Sequence, residues 1–435
     1  VLALAFLAFV AGATVTRFEL FPYPFLKDAF LAAEALLERE RDTRNPHGYG
    51  AKPLVEEDFA APQVRDTEPG LGRYDALQAY AGYTVYTPVG ARYPVSLIDM
   101  QGQVLHEWTV PRDSLSAERI DGLSLSGSAV RTIAYPRLFP NGDMLMVLGT
   151  EQQTPWGFGI IKVDKDSQLL WEYTRQAHHD LDVGPDGRIY GLVHSTVTTP
   201  WPGLEAIETP FVDDQVAVLD ADGNELKVVS ILQAIQGSDF ESLLIYADPE
   251  YKKGDFLHTN SITYLDEQKA ASFPNAQAGD VLLSLRQIDV LAVMDIDAET
   301  IKWAARGTWH FQHDPDVLED GNVLLFDNRG DLKNGARSRI LEFNPRTLEV
   351  VWEYPDDQDE HLYTSIYGSQ QRLPNGNTLI SESNNGRILE VTRSGDIVWE
   401  FKVPERSINR RGDEIATVVF AERVAPDQLE FLAPR

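Results

Sequence analysis

Residues 341–352, LEFNPRTLEVVW, and 389–399, LEVTRSGDIVW, are two copies of one unit. Each opens on an apolar run of strand type, passes a polar turn, and enters a second short run that carries a tryptophan. The unit recurs as Leu97-Ile98-Asp99-Met100-Gln101-Gly102 leading to Trp108, and as Ile161-Lys162-Val163-Asp164 leading to Trp171. It returns as Val293-Met294-Asp295-Ile296-Asp297 leading to Trp303. A sixth, degenerate copy, Val218-Leu219-Asp220-Ala221-Asp222-Gly223, lacks the tryptophan. A second half-unit is built on a turn: Pro140-Asn141-Gly142-Asp143, Pro185-Asp186-Gly187-Arg188, Asp320-Gly321-Asn322 and Pro374-Asn375-Gly376-Asn377. Asn-Gly and Asp-Gly supply the positive φ that tight hairpins need. Trp352 and Trp399 stand 47 residues apart, close to the ~40–50 residues of a four-stranded blade.

Six copies predict an all-β, six-bladed β-propeller over residues 81–435. The competing reading is an open sandwich with accidental self-similarity. The tryptophans are read as blade core. Tyr83-Thr84-Val85-Tyr86 is expected to close the ring with Thr417-Val418-Val419-Phe420, and the extra length between Trp171 and Trp303 to lie in loops.

The preceding residues have another character. Val1 to Val15, VLALAFLAFVAGATV, is uncharged and almost wholly apolar, and Phe18, Leu20 and Phe21 extend it. Residues 1–21 are read as a transmembrane anchor, or an uncleaved signal. Phe25, Leu26, Phe30, Leu31, Leu36 and Leu37 recur at helical spacing, which predicts an amphipathic helix over 22–42. Residues 43–80, rich in Pro, Gly and charge, are read as linker.

With 38 basic and 67 acidic residues the net charge is −29. Such a field repels nucleic acid and anionic headgroups, and an anionic substrate then needs a local positive pocket. There is no cysteine, which excludes disulfides, thiolate metal sites and cysteine nucleophiles.

His258-Thr259-Asn260, Arg286 and Gln312-His313-Asp314 lie on or beside predicted strands of different repeats. They can meet only around a common axis. His258 and Asn260 are two apart on a strand and so share a face, where they can grip one anion or serve only structure. Arg286 ends an apolar strand, and its planar fork suits a tetrahedral oxyanion or a structural ion pair. A neutral imidazole at His313 can be a nucleophile toward sulfur or phosphorus. In His178-His179-Asp180-Leu181-Asp182 the adjacent histidines point oppositely on a strand, which argues against a shared metal. Acid–base work and structure remain open for them. No metal is assigned. No glycine-rich loop opens a helix, so a nucleotide donor lacks a cradle and no cofactor is expected.

Taken in order, His178-His179-Asp180, Leu257-His258-Thr259-Asn260-Ser261, Ser284-Leu285-Arg286, Gln312-His313-Asp314 and the run 373–380, LPNGNTLI, resemble the bacterial arylsulfate sulfotransferase family over about residues 82–430. The resemblance implies a six-bladed propeller outside the cytoplasm. It implies transfer of a sulfuryl group from a phenolic sulfate donor to a phenol acceptor, ping-pong, through a sulfohistidine. It makes His313 that histidine, and His258, Asn260 and Arg286 the residues that hold the sulfate or move protons. It adds one of His178 and His179, with His179 favoured, and it adds Ser369 and Asn328 as residues facing the substrate. Better-known members carry a disulfide and an N-terminal β-domain; this chain has no cysteine, and its first 80 residues read as anchor, helix and linker. The expected location is the inner membrane, with the propeller in the periplasm and a membrane-protein partner or a second copy as neighbour. The other reading is a catalytically silent propeller serving as accessory or scaffold subunit of a membrane complex.

Overall fold

The computed structural model describes residues 68–432, except 90–93, 117, 121–122, 126–129, 151–156, 206, 247–252, 332–336, 356–361, 365 and 410–411. The expected anchor, the amphipathic helix and most of the linker lie outside these residues. Among the described residues no helix is long and apolar enough to cross a membrane.

Among the described residues six sheets of four or more strands, antiparallel along their main path, form the blades, beside two two-stranded hairpins. Blade 2 runs from Val130–Leu138 through Met144–Thr150 and Gly157–Val163 to Leu169–Tyr173. Blade 3 opens with Ala177–Val183, blade 4 with Thr259–Tyr264, blade 5 with His313–Val317 and blade 6 with Ser369–Arg372. Blade 1 is composite, as expected. Its first strand, Val418–Val424, comes from the C-terminal end and pairs with Tyr83–Pro88, Tyr86 lying opposite Ala421. The six opening strands touch one another in a closed cycle, so they line the central axis.

The repeat residues have visible physical jobs. The Asp that ends each third strand caps the following turn. Asp99 Oδ1 accepts from the backbone N–H of Gln101 and Gln103 at 2.9 and 2.8 Å. Asp164, Asp220 and Asp295 do the same in blades 2 to 4, and Asn344 in blade 5. In blade 6 a threonine hydroxyl, Thr392, takes the place of the carboxylate. This is the side-chain mimic of a backbone turn that Asp, Asn and Thr offer.

The tryptophans join blade to blade. Trp108 Nε1 donates to Gly142 O, Trp352 to Arg393 O and Trp399 to Met100 O, each at 2.9 Å in the neighbouring blade. The Trp171 ring lies where a Cβ on Gly223 of blade 3 would stand, 2.6 Å from it. With φ of +83° as well, that turn needs glycine twice over. The ring closure holds a buried ion pair, Arg423 Nη1 to Glu390 Oε2 at 3.1 Å. Arg423 Nε also donates to Thr84 Oγ1 at 2.8 Å.

One boundary moves. Gly70–Tyr74 lies within the stretch read as linker, yet it pairs with Ile397–Lys402 as a fifth strand of blade 6. Its sequence, GLGRY, has too few apolar residues to advertise a strand, because it covers an edge and not a core.

Candidate functional site

The opening strands carry an irregularity that side-chain alternation cannot foresee. Pairing register breaks between Ala134 and Arg137, Ala177 and Leu181, Thr259 and Ser261, and His313 and Asp316. Beside these breaks Tyr135, His179, His258 and Asp314 have φ of 27°, 56°, 48° and 50°. Left-handed backbone at non-glycine residues costs ~1–3 kcal/mol each and concentrates at functional sites. Bulges re-aim side chains. The expectation that His258 and Asn260 share a strand face fails for this reason. His258 precedes the strand in a left-handed conformation, while Asn260 reaches across to blade 5, its Nδ2 donating to Gln312 O at 2.9 Å.

His313 is held by groups whose roles leave no choice. Asn328 Nδ2 donates to Thr364 O and Tyr367 O at 2.9 and 2.8 Å, so Oδ1 is its accepting end. That oxygen meets His313 Nδ1 at 2.7 Å, and Phe311 O meets the same nitrogen at 3.0 Å. Two acceptors require a proton on Nδ1. Nε2 therefore carries the lone pair, and the Tyr367 N–H donates to it at 3.3 Å. Burial, then the Arg286 guanidinium, push the His313 pKa down to about 3. His313 is a neutral imidazole with its lone pair fixed on Nε2.

Arg286 follows Val281–Leu285 of blade 4 in a short 3-10 turn. It is 5% exposed, and its guanidinium lies over the Phe311 ring, 4.6 Å from the centroid. Asp289, which caps this turn, accepts from Phe311 N at 2.9 Å and meets His310 Nδ1 at 3.0 Å. Gln312 Nε2 donates to Ser284 Oγ and Val290 O. Arg286 and His313 are thus set by one network across blades 4 and 5.

The structure brings His179 to the same place and puts His178 behind it. His179 sits 4.8 Å from His258, ring to ring. Its pKa is held well below the usual range by burial, then by His258, His178, His313 and Arg286. His178, 2% exposed, touches His179 through a 2.8 Å Nδ1–Nδ1 contact and packs against His194. Burial lowers its pKa to about 4. Among this set His179 and His258 are the partly exposed members, the His258 side chain being 17% exposed.

Two residues expected to face substrate are occupied by protein. Asn328 has both ends engaged, as above, and its geometry serves His313. Ser369 is 1% exposed, and its hydroxyl meets Ser381 Oγ at 2.9 Å and accepts from Ala421 N at 3.1 Å. It belongs to the seam between blades 6 and 1.

The sequence reading passed over the carboxylates around the axis. Asp180 accepts from Ile262 N at 3.0 Å and Ser261 Oγ at 2.9 Å in the next blade. Asp182 accepts from Tyr264 N at 2.8 Å, and Asp214 from Thr259 N at 2.7 Å. Asp314 accepts from Gln370 N at 3.0 Å. Each satisfies an N–H on the free inner edge of a neighbouring sheet. The signal was present as acids at every second position, 180 and 182 or 314 and 316, on strands that should face a core. Among the described residues no group of acids and histidines is arranged to hold a metal ion.

A search of curated proteins finds no match. Among solved structures, a protein of unknown function from Bacteroides caccae is 10% identical with a TM-score of 0.49, covering 78% of this chain and 98% of its own. A streptogramin B lyase is 12% identical with a TM-score of 0.40, covering 84% and 96%. Virginiamycin B lyase from Staphylococcus aureus is 12% identical with a TM-score of 0.36, covering 63% and 70%. The family model for arylsulfotransferase (ASST) matches residues 136–404, a span that includes His179, His258, Asn260, Arg286, His313 and Asn328. Because that match extends over more than half of the sequence, the chain belongs to the arylsulfotransferase family.

Proposed function

We propose that this protein moves a sulfuryl group from an aryl sulfate ester to a phenol, with His313 as the nucleophile. The observation that carries the proposal is the fixed tautomer of His313. Asn328 Oδ1 and Phe311 O hold the Nδ1 proton, which leaves the Nε2 lone pair as the reactive end.

In the first half-reaction the Nε2 lone pair attacks sulfur. The S–O bond breaks and its electron pair leaves with the phenolate, which takes a proton from His258. A loose transition state spreads charge over the equatorial oxygens, and the Arg286 guanidinium is the neighbouring cation that meets it. Removing one such donor typically costs ~3–4 kcal/mol. In the second half a phenol gives its proton to His258 and its oxygen attacks sulfur. The S–N bond then breaks, and the pair returns to Nε2. The Tyr367 N–H contact of 3.3 Å is long for a hydrogen bond, so it yields this lone pair at small cost.

The test is mass spectrometry after brief incubation with 4-nitrophenyl sulfate. The expected result is a sulfuryl adduct on His313, with nitrophenol released and both absent in His313→Ala. An adduct elsewhere, or turnover by the variant, would remove His313 from the mechanism. We also propose that residues 1–21 tether the propeller on the periplasmic face of the inner membrane, from their apolar composition. Proteolysis of intact spheroplasts checks this: a protected propeller would overturn it.

A further inference from the structure

Asp255 is a buried acid that no repeat motif predicts. It is 3% exposed and sits in the lead-in to blade 4. Gly254 beside it pairs with Phe211 of blade 3, and Phe256 after it is fully buried. Its Oδ2 lies 2.5 Å from His258 Nδ1. No blade architecture needs an acid at this point. The carboxylates at 180, 182, 214 and 314 each cap a backbone N–H of a neighbouring strand. Among the described residues Asp255 Oδ1 has no hydrogen-bond partner, and Oδ2 meets a histidine ring. Behind it stand His178 and His194.

The backbone makes His258 and Arg286 one unit. Arg286 N donates to His258 O at 3.2 Å, and Gln287 N donates to Leu257 O at 3.0 Å. The turn from Asp255 to His258 is therefore locked to the residue that would hold the sulfate. Within that turn a carboxylate, which only accepts when ionised, demands a proton on Nδ1. Burial opposes ionisation of Asp255, but the His258 charge and hydrogen bond outweigh it and hold its pKa below the usual carboxylate range.

We propose that Asp255 is a positioning residue that fixes His258 with Nδ1–H inward and Nε2 toward the site, and so makes His258 the proton donor to the departing phenolate. This rests on the sulfuryl-transfer reading above. The balance is simple. The proton leaves His258 Nε2 for the phenolate oxygen as the S–O bond breaks, and the Asp255 carboxylate keeps its charge throughout and stabilises the imidazolium that precedes transfer.

The assignment predicts an effect graded by leaving group. A phenolate of low pKa needs no proton in the transition state, and one of high pKa does. General acid catalysis is worth ~10²–10⁴-fold. For D255N, the rate should fall by ~10²-fold or more with phenyl sulfate and by less than ~10-fold with 4-nitrophenyl sulfate. H258Q should show the same selective loss, and D255N/H258Q should be no worse than H258Q. D255E should recover part of the phenyl sulfate rate. An equal loss on both esters would mean a merely structural role and would overturn the proposal, as would a D255N enzyme indistinguishable from wild type.

A second readout needs no turnover. In ¹⁵N-histidine-labelled protein, with H258Q to assign the signals, His258 should show a protonated Nδ1 that D255A loses. A bare Nδ1 in the wild type sinks the Asp255 assignment whatever the kinetics. If no aryl sulfate is turned over but Nδ1 is protonated through Asp255, the sulfotransferase reading fails and the positioning role stands.

Discussion

Two regions share the same strands and carry opposite chemistry. In blade 3 the strand Ala177–Val183 places His178 and His179 just before Asp180 and Asp182; in blade 5, His313–Val317 places His313 just before Asp314 and Asp316. Burial acts on both regions alike, by disfavouring charge. It lowers His178 to about 4 and His313 to about 3. It raises Asp180 to about 7, and Asp314 well above its ordinary value. The outcomes differ because the groups differ. A neutral imidazole keeps a lone pair and an N–H, so desolvation leaves it able to react. A neutral carboxyl loses the charge that makes it a strong acceptor. The carboxylates compensate with backbone N–H donors from the next blade, and Asp182 with a 3.0 Å contact to Arg137. The proposed chemistry falls to the first region, and the second joins strands.

The hardest test of that division is on the histidine side. His313→Ala should abolish aryl sulfate turnover while leaving the protein folded, its melting temperature lowered by a few degrees because Asn328 Oδ1 and the Tyr367 N–H lose a partner. Asn328→Ala comes next. It removes the shorter of the two acceptors on His313 Nδ1 and the donor to Tyr367 O, while Thr364 O keeps Ser338 Oγ at 2.9 Å. A fall in kcat of ~10–100-fold is expected, the usual worth of a residue that orients a reactive imidazole. An unchanged kcat would mean that the tautomer is set without Asn328. Arg286→Lys keeps the charge but loses the fork, and it should cost ~10²-fold in kcat/KM. On the other side, Asp182→Asn removes the Arg137 pair. It should lower stability by about 1–2 kcal/mol, by denaturant melts, with kcat within about twofold. A large kcat loss from Asp182→Asn would erase the distinction between the regions.

The parts of this arrangement differ in how far they could be read in advance. The propeller was legible because its repeated residues do local work. Asp99, Asp164, Asp220 and Asp295 cap turns a few residues away, and a local bond leaves a local pattern. Three of the repeated tryptophans, Trp108, Trp352 and Trp399, make the same bond to a neighbouring blade. His258, Arg286 and His313 were legible as rare polar residues on apolar strands. Their directions were not, because a bulge is a tertiary decision and the φ of His179 or His258 leaves no mark in composition. Asn328 and Ser369 show the same limit. Each is a polar residue near the site, and only the bonds reveal that one orients His313 and the other closes a seam. Asp255 was missed because a lone acid in an inter-blade loop looks like any solvated turn. The Gly70–Tyr74 strand was missed because an edge-covering strand needs no apolar face.

A last expected effect divides the two regions by the sign of their pH dependence. Asp180 has a folded pKa of about 7 against an ordinary 3.8. A raised acid contributes stability that is full below pH 3.8 and is lost as pH climbs through about 7, because the folded state binds the extra proton. His313 has a folded pKa of about 3 against 6.5. A lowered base contributes stability that is full above pH 6.5 and is lost as pH falls toward 3, because the unfolded state binds the extra proton. The two slopes oppose each other across the acid range. Relative to wild type, Asp180→Asn should therefore gain stability as pH rises from 4 to 8, and His313→Asn should gain as it falls. Each difference should be on the order of 2 kcal/mol across the range, read as a few degrees in thermal melts. If both variants tracked the wild type in parallel, both groups would have to be hydrated well enough to titrate normally. The dry, neutral imidazole on which the proposed chemistry depends would then be lost along with the carboxylate layer.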